Sequence, residues 1–202
     1  MVFDFGGVLL DWNPRHLYRK LFNSDEGAME RFLAEIGFYE WNVLQDAGRP
    51  LSEAVSDLCS RHPQYCNLIR AYDERYDESI SGPIEGSVTI LRRLHSLGHK
   101  LFGLSNWPAG KFQLMRKKYR FFDLFNEIIV SGEIRIAKPD PRIFDVLLAQ
   151  VGIPASDCIF IDDALANITA AKSLGFQTIH FQSPEQLQVD LITMKILPTR
   201  ID

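Results

Sequence analysis

Apolar residues recur at three- and four-residue intervals over residues 14–22 and 25–36, the spacing that gives a helix one buried face. Ser24 stands where the second of these helices needs an N-cap. Helices are also expected over 51–60, with Ser52 at the capping end, and over a longer stretch, 64–80; no strand pattern is visible between 14 and 80. Gly82-Pro83 breaks that regime. Beyond it the rhythm alternates. Strands are expected at 100–104, 127–130, 158–161 and 177–181, and helices at 86–97, 111–119, 141–151 and 165–174, with a last helix opening at Pro184. An apolar strand at 1–4 precedes everything. Strands alternating with helices predict an α/β fold with a doubly wound, Rossmann-like parallel sheet. Its core is assigned to 1–12 and 83–202, and 13–82 is a helical insertion.

Composition narrows the function class. The 202 residues are 46% hydrophobic and 24% charged, with a formal net charge of −4. This mild acidity argues against nucleic acid and anionic membranes as partners, since both select basic surfaces. The short basic run Arg116, Lys117, Lys118, Arg120 fits a solvated helix face. No apolar stretch is long enough for a membrane span. The first residues read as a strand and not as a signal peptide, and a few residues could be missing before it. Cys59, Cys66 and Cys158 have no metal-type spacing and are expected as reduced thiols, which favours a cytoplasmic setting.

Candidate chemistry gathers at strand ends. In an open parallel sheet, ligands bind beyond the carboxyl ends of the strands. Here those ends carry Asp4, then Ser105-Asn106, then Asp162-Asp163, while Lys138 lies in the loop after another strand. A carboxylate such as Asp4 can act as a nucleophile. The Gly6-Gly7 turn lets backbone approach a ligand closely. Asp4, Asp162 and Asp163 repel one another unless a cation sits among them, and Mg²⁺ prefers oxygen ligands. Ser105, Asn106 and Lys138 supply donors and positive charge for phosphoryl oxygens. Any one of these residues alone could be a helix cap or a structural contact; their conjunction at one rim is the signal.

The chain closely resembles the haloacid dehalogenase-like hydrolases. Val2-Phe3-Asp4-Phe5-Gly6-Gly7-Val8-Leu9, Leu104-Ser105-Asn106, Lys138-Pro139-Asp140-Pro141 and Phe160-Ile161-Asp162-Asp163 with Asn167 match the family's four motifs in order and spacing. The resemblance implies that Asp4 is the nucleophile and Lys138 a catalytic lysine. It implies Mg²⁺ held by Asp4, the Gly6 carbonyl and the Asp162-Asp163 pair, with Asp163 the favoured direct ligand. Ser105, Asn106 and Lys138 would bind the transferred group, and Trp107 is the tryptophan best placed to touch substrate. Residues 13–82 would be the small helical cap that closes over the site. The implied activity is Mg²⁺-dependent hydrolysis of a small phosphorylated metabolite, such as a sugar phosphate, through an aspartyl-phosphate. The oligomeric state is left open.

One departure stands out. Phosphatases of this family usually carry a second Asp two residues after the nucleophile, as general acid and base; here that position is Gly6. Asp11, His16 and Asp46 are candidate replacements. Two alternatives follow from the loss. One is a metal-independent 2-haloacid dehalogenase, against which the acidic Asp162-Asp163 pair argues, as does Phe144 where those enzymes tend to have Tyr. The other is a non-catalytic protein that holds phosphate or a partner. The segment Asp46-Ala47-Gly48-Arg49 is expected to be a cap loop, with a tight turn at Gly48.

Overall fold

A computed structural model describes residues 1–199. The chain runs β1 (Val2–Phe3), β2 (Leu10–Trp12), α1 (Pro14–Leu21), α2 (Glu26–Glu35), α3 (Phe38–Asp46), α4 (Leu51–Arg61), α5 (Cys66–Glu74), β3 (Ile80–Pro83) and α6 (Glu85–Ser96). It continues through β4 (Phe102–Ser105), α7 (Ala109–Lys118), β5 (Glu127–Val130), α8 (Ser131–Ile134), α9 (Pro141–Val151), β6 (Ile159–Asp162), α10 (Leu165–Ser173), β7 (Gln177–His180) and α11 (Pro184–Thr193).

Five strands form a parallel sheet in the order β5-β4-β1-β6-β7. Both faces are covered, and side-chain alternation along the strands shows how. Val2, Phe102, Leu104 and Phe160 pack on one side with Ile143, Phe144 and Leu147 of α9 and Ile168 and Ala171 of α10. Phe3, Ile159 and Ile161 pack on the other with Val88, Leu91 and Leu94 of α6 and Leu187 and Leu191 of α11. Gly103 in β4 has no room for a side chain, because a Cβ there would run into the Phe5 ring. The helix α9 starts and stops on local signals: the Asp140 side chain accepts from Arg142 N, Pro141 opens the first turn, and Gly152 closes it at φ +63°.

Helices α1 to α5 are spliced in between β2 and β3, which pair antiparallel beside the sheet. Their interior is aromatic: Tyr18, Phe32, Phe38, Trp41 and Tyr72 are buried and meet mostly edge to face.

Several expectations need correction here. The second helix is capped by Asp25, whose side chain accepts from Ala28 N, not by Ser24. The fourth starts after Pro50 without a side-chain cap, so Ser52 does not serve. The single helix expected over 64–80 is broken into α5, flanking 3-10 turns and the strand β3, because Ile80–Pro83 pairs with Leu10–Trp12. The expectation of three reduced thiols fails: Cys59 and Cys66 form a disulfide across the turn from α4 to α5, and only Cys158, buried, is a free thiol among the described residues. No described helix is long and apolar enough to cross a membrane.

Candidate active site

The sheet order reverses direction around β1, and the crevice this creates at the carboxyl ends is where such sheets bind ligands. Register brings the chemistry together. Phe3 lies opposite both Gly103 and Ile161, and Asp4 N donates to the Ile161 carbonyl at 2.9 Å. Asp4 therefore emerges between Ser105 on one side and Asp162 on the other.

Asp4 is 8% exposed. Its Oδ1 accepts from Phe5 N (2.7 Å), from Ser105 Oγ (2.7 Å) and from Lys138 Nζ (3.0 Å). All three donors go to Oδ1, which leaves Oδ2 as the oxygen free to react. Lys138 Nζ also donates to Asp162 Oδ2 at 2.6 Å. Asp162 is saturated: it further accepts from Ala164 N and from both approaches of Asn167 Nδ2, at 2.8–3.1 Å. Burial pulls the Lys138 ammonium down, but Asp4 and Asp162 outweigh it and hold its pKa above the ordinary lysine value. Asp4 goes the other way. Burial lifts its pKa to about 7, Lys138 opposes this, and the nearby Asp162 and Asp163 reinforce it.

The two adjacent acids differ. Asp162 lies under the surface with every oxygen partnered, whereas Asp163 lines the cavity beside Asp4, and burial and Asp162 raise its pKa. Oxygens of Asp4, Asp162 and Asp163 all lie within 4.8 Å of one another. Such crowding of hard oxygen donors suits a Mg²⁺-like cation. Gly7 makes it possible: its φ is +75°, and a Cβ there would collide with the Asp163 carboxylate.

Asn106 also borders the cavity, but its side chain is engaged at both ends by the main chain of Lys138, accepting from its N at 2.8 Å and donating to its carbonyl at 2.9 Å. Trp107 is anchored by its N, which donates to Ser131 Oγ, and by Gly132, where any Cβ would strike the Trp107 carbonyl. Its buried indole Nε1 has no acceptor among the described residues.

Asp4, Gly6, Gly7, Asn106, Trp107 and Asp163 line a cavity of about 280 Å³ whose remaining walls are Trp12, Asn42, Asp46 and Tyr76. Asp11 and His16 do not reach it; they pair with each other at 3.1 Å, and Ser81 donates to Asp11. Arg49 is turned to Asp57 at 3.2 Å. The sequence raised Asp46 only as one candidate of three and gave Asn42 and Tyr76 no site role. Nothing in helical periodicity marks them, because what selects them is how α3 and the turn after α5 sit over the sheet.

The model of the haloacid dehalogenase-like hydrolases matches residues 1–175. The chain belongs to that family. This haloacid dehalogenase-like hydrolase is 26% identical over 184 residues to a sesquiterpene phosphatase of Aspergillus oryzae, covering 89% of this chain and 87% of the relative. It is 30% identical over 201 residues to a Drosophila melanogaster protein described as a probable pseudouridine-5'-phosphatase, covering 93% and 83%. Among solved structures, a family enzyme of Bacteroides thetaiotaomicron in complex with magnesium and inorganic phosphate shares the fold of the hydrolase, with a TM-score of 0.67 and 23% identity over 90% of this chain and 93% of that one.

Proposed function

We propose that the hydrolase is a Mg²⁺-dependent phosphatase of a small phosphorylated metabolite, with Asp4 as nucleophile. The observation that carries this reading is the state of Asp4: one oxygen pinned by Phe5 N, Ser105 and Lys138, the other free at the floor of a small cavity. The pinning holds the attacking oxygen in line and orders it before substrate arrives. Lys138, steadied by Asp162, offers its charge to the equatorial phosphoryl oxygens as the transition state forms. Ser105 works beside it, and Asn106 fixes the main chain from which Lys138 projects. Asp4, Asp163 and the Gly6 carbonyl would hold Mg²⁺, with Asp162 behind them; when bound, the ion neutralises the carboxylates and the substrate's phosphoryl charge. Residues 13–82 act as a cap, whose Tyr76 joins Trp12 and Trp107 as aromatic walls that exclude water and select the group carried by the phosphate. The relatives agree in kind, since one is a phosphatase and another was solved with magnesium and phosphate.

The test is phosphate release from p-nitrophenyl phosphate and a panel of sugar phosphates, with Mg²⁺ and with chelator, for the native protein and Asp4→Asn. Turnover that requires both Mg²⁺ and Asp4 is expected. Halide release from a 2-haloacid without metal, and no phosphate release, would overturn the proposal.

A further inference from the structure

An alkoxide is a poor leaving group, and a phosphatase that handles ordinary esters supplies it with a proton. At the position two residues beyond Asp4 the chain has Gly6, with no side chain to do so. The titratable groups bordering the cavity are Asp4, Asp46, Tyr76 and Asp163. Asp4 is the attacking group, and Asp163 belongs to the carboxylate triad. Tyr76 is held well above the ordinary tyrosine range, first by burial and then by Asp46, and is too weak an acid to serve. Asp46 is left.

Its surroundings are built. Asp46 is the last residue of α3, followed by the turn at Gly48. That glycine has φ +96° and presses on Arg135 of the core so closely that a Cβ would overlap it, so the end of α3 is seated against the sheet domain. Behind the carboxyl runs a directional chain of hydrogen bonds. Tyr72, fully buried, donates its hydroxyl proton to Asn42 Oδ1 at 2.9 Å. This turns the Asn42 amide nitrogen outward, and it donates to Asp46 Oδ2 at 3.2 Å. With Oδ2 occupied by a donor, the acid's proton belongs on Oδ1. The charged and titratable groups around Asp46 are Asp4 and Lys138 from the core and Tyr72 and Tyr76 from the cap. Burial foremost, then Asp4, lift the Asp46 pKa to about 7, with Lys138 opposing. That value suits a group that must be both acid and base near neutrality.

We propose that Asp46, reaching the cavity from the cap, is the general acid and base of the phosphatase reading on which this inference rests, in place of the side chain absent at Gly6. As Asp4 Oδ2 bonds to phosphorus, the bond from phosphorus to the ester oxygen breaks. Its electron pair stays on that oxygen, which takes the proton from Asp46 and departs as the alcohol. Asp46, now a carboxylate, takes a proton from the water that attacks the aspartyl-phosphate. The bond from Asp4 to phosphorus breaks, phosphate leaves, and both aspartates return to their starting states. Asn42 is a positioning residue in this scheme.

The experiment is a leaving-group series. kcat/KM is measured for substituted phenyl phosphates from p-nitrophenyl to unsubstituted phenyl, in the native protein and in Asp46→Asn, a near-isostere that keeps the fold. Loss of a proton donor is expected to cost a few-fold on p-nitrophenyl phosphate and about 10²- to 10³-fold on phenyl phosphate, so the dependence on leaving-group acidity steepens. The double variant Gly6→Asp, Asp46→Asn should flatten it again, since a Cβ at Gly6 meets only Trp107 and Trp12, both at 3.9 Å. A uniform loss across the series, or none on phenyl phosphate, overturns the role of Asp46 and leaves the phosphatase standing. Absence of phosphate release from the native protein overturns the phosphatase reading itself.

Discussion

The rim of the sheet and the underside of the helical insertion both present aspartates to the same cavity, yet they handle charge in opposite ways. At the rim, Asp4, Lys138 and Asp162 are packed together and satisfy one another, with Ser105, Asn167 and main-chain N–H groups completing the set. The insertion has an aromatic core, and at its edge Asp46, half-buried, borders the cavity with a side-chain donor in Asn42. Asp4 and Asp46 both have their pKa raised to about 7, with burial the largest cause at each. Beside burial, Asp4 has two neighbouring acids, a cause that positive charge among the carboxylates removes. Asp46 has one such neighbour, Asp4 itself, on the same cavity. A cation at the rim would therefore relieve more of the rise at Asp4 than at Asp46, and set two groups with similar values apart.

The comparison can be broken most severely at the rim. Asp4→Asn removes the attacking oxygen and should lower kcat by about 10⁴-fold or more, read as phosphate release at saturating substrate. Lys138→Met leaves two buried acids without their shared cation. It should destabilise the fold by roughly 3–5 kcal/mol at pH 8 and by less at pH 5, where Asp4, its pKa raised to about 7, takes up a proton; urea unfolding at the two pH values checks this. Gly7→Ala forces a left-handed residue and pushes Asp163 aside, costing about 1–2 kcal/mol for the conformation alone, with a weakened response to Mg²⁺ in the assay.

In the insertion the sign reverses. The folded pKa of Asp46 lies above the ordinary 3.8, so its ionised form opposes folding. Asp46→Asn should leave the Tm unchanged below pH 4 and raise it progressively towards pH 7, as differential scanning calorimetry would show. The smallest effect is expected at Glu78, which bridges Lys20 of α1 and Arg75 and is held at about pKa 2, chiefly by its bond to Arg75. A lowered pKa contributes stability that is complete above the unfolded value and disappears as pH falls towards 2. Glu78→Gln should therefore cost about 0.2–1 kcal/mol at neutral pH and nothing near pH 2.

Legibility in the sequence follows the same division. The core elements could be read because each strand and helix buries a face of its own: β5 and α9 fall at their expected bounds, and α6, α10 and β7 within about a residue of theirs. The strand-end residues could be read because parallel topology fixes which ends share a rim. What escaped depends on partners distant in sequence. Ile80 looks like the end of a helix, and Gly82-Pro83 like a plain break, until Leu10–Trp12 lies beside them. The four-residue α8 is too short to show a period. Cys59 and Cys66 meet only because the chain turns between α4 and α5. Asn106 carries the right chemistry for a ligand, but the main chain of Lys138 takes up both ends of its amide.

The pairing of β2 with β3 has one further consequence. The chain leaves for the insertion and returns from it on two adjacent strands, neither of which belongs to the parallel sheet. The whole helical unit hangs from one doorway, so evolution or an engineer can exchange it as a cassette while the sheet and its buried ion pairs stay as they are. If Asp46 carries the proton, such an exchange swaps more than a lock for a different key: it also replaces half of the acid–base chemistry.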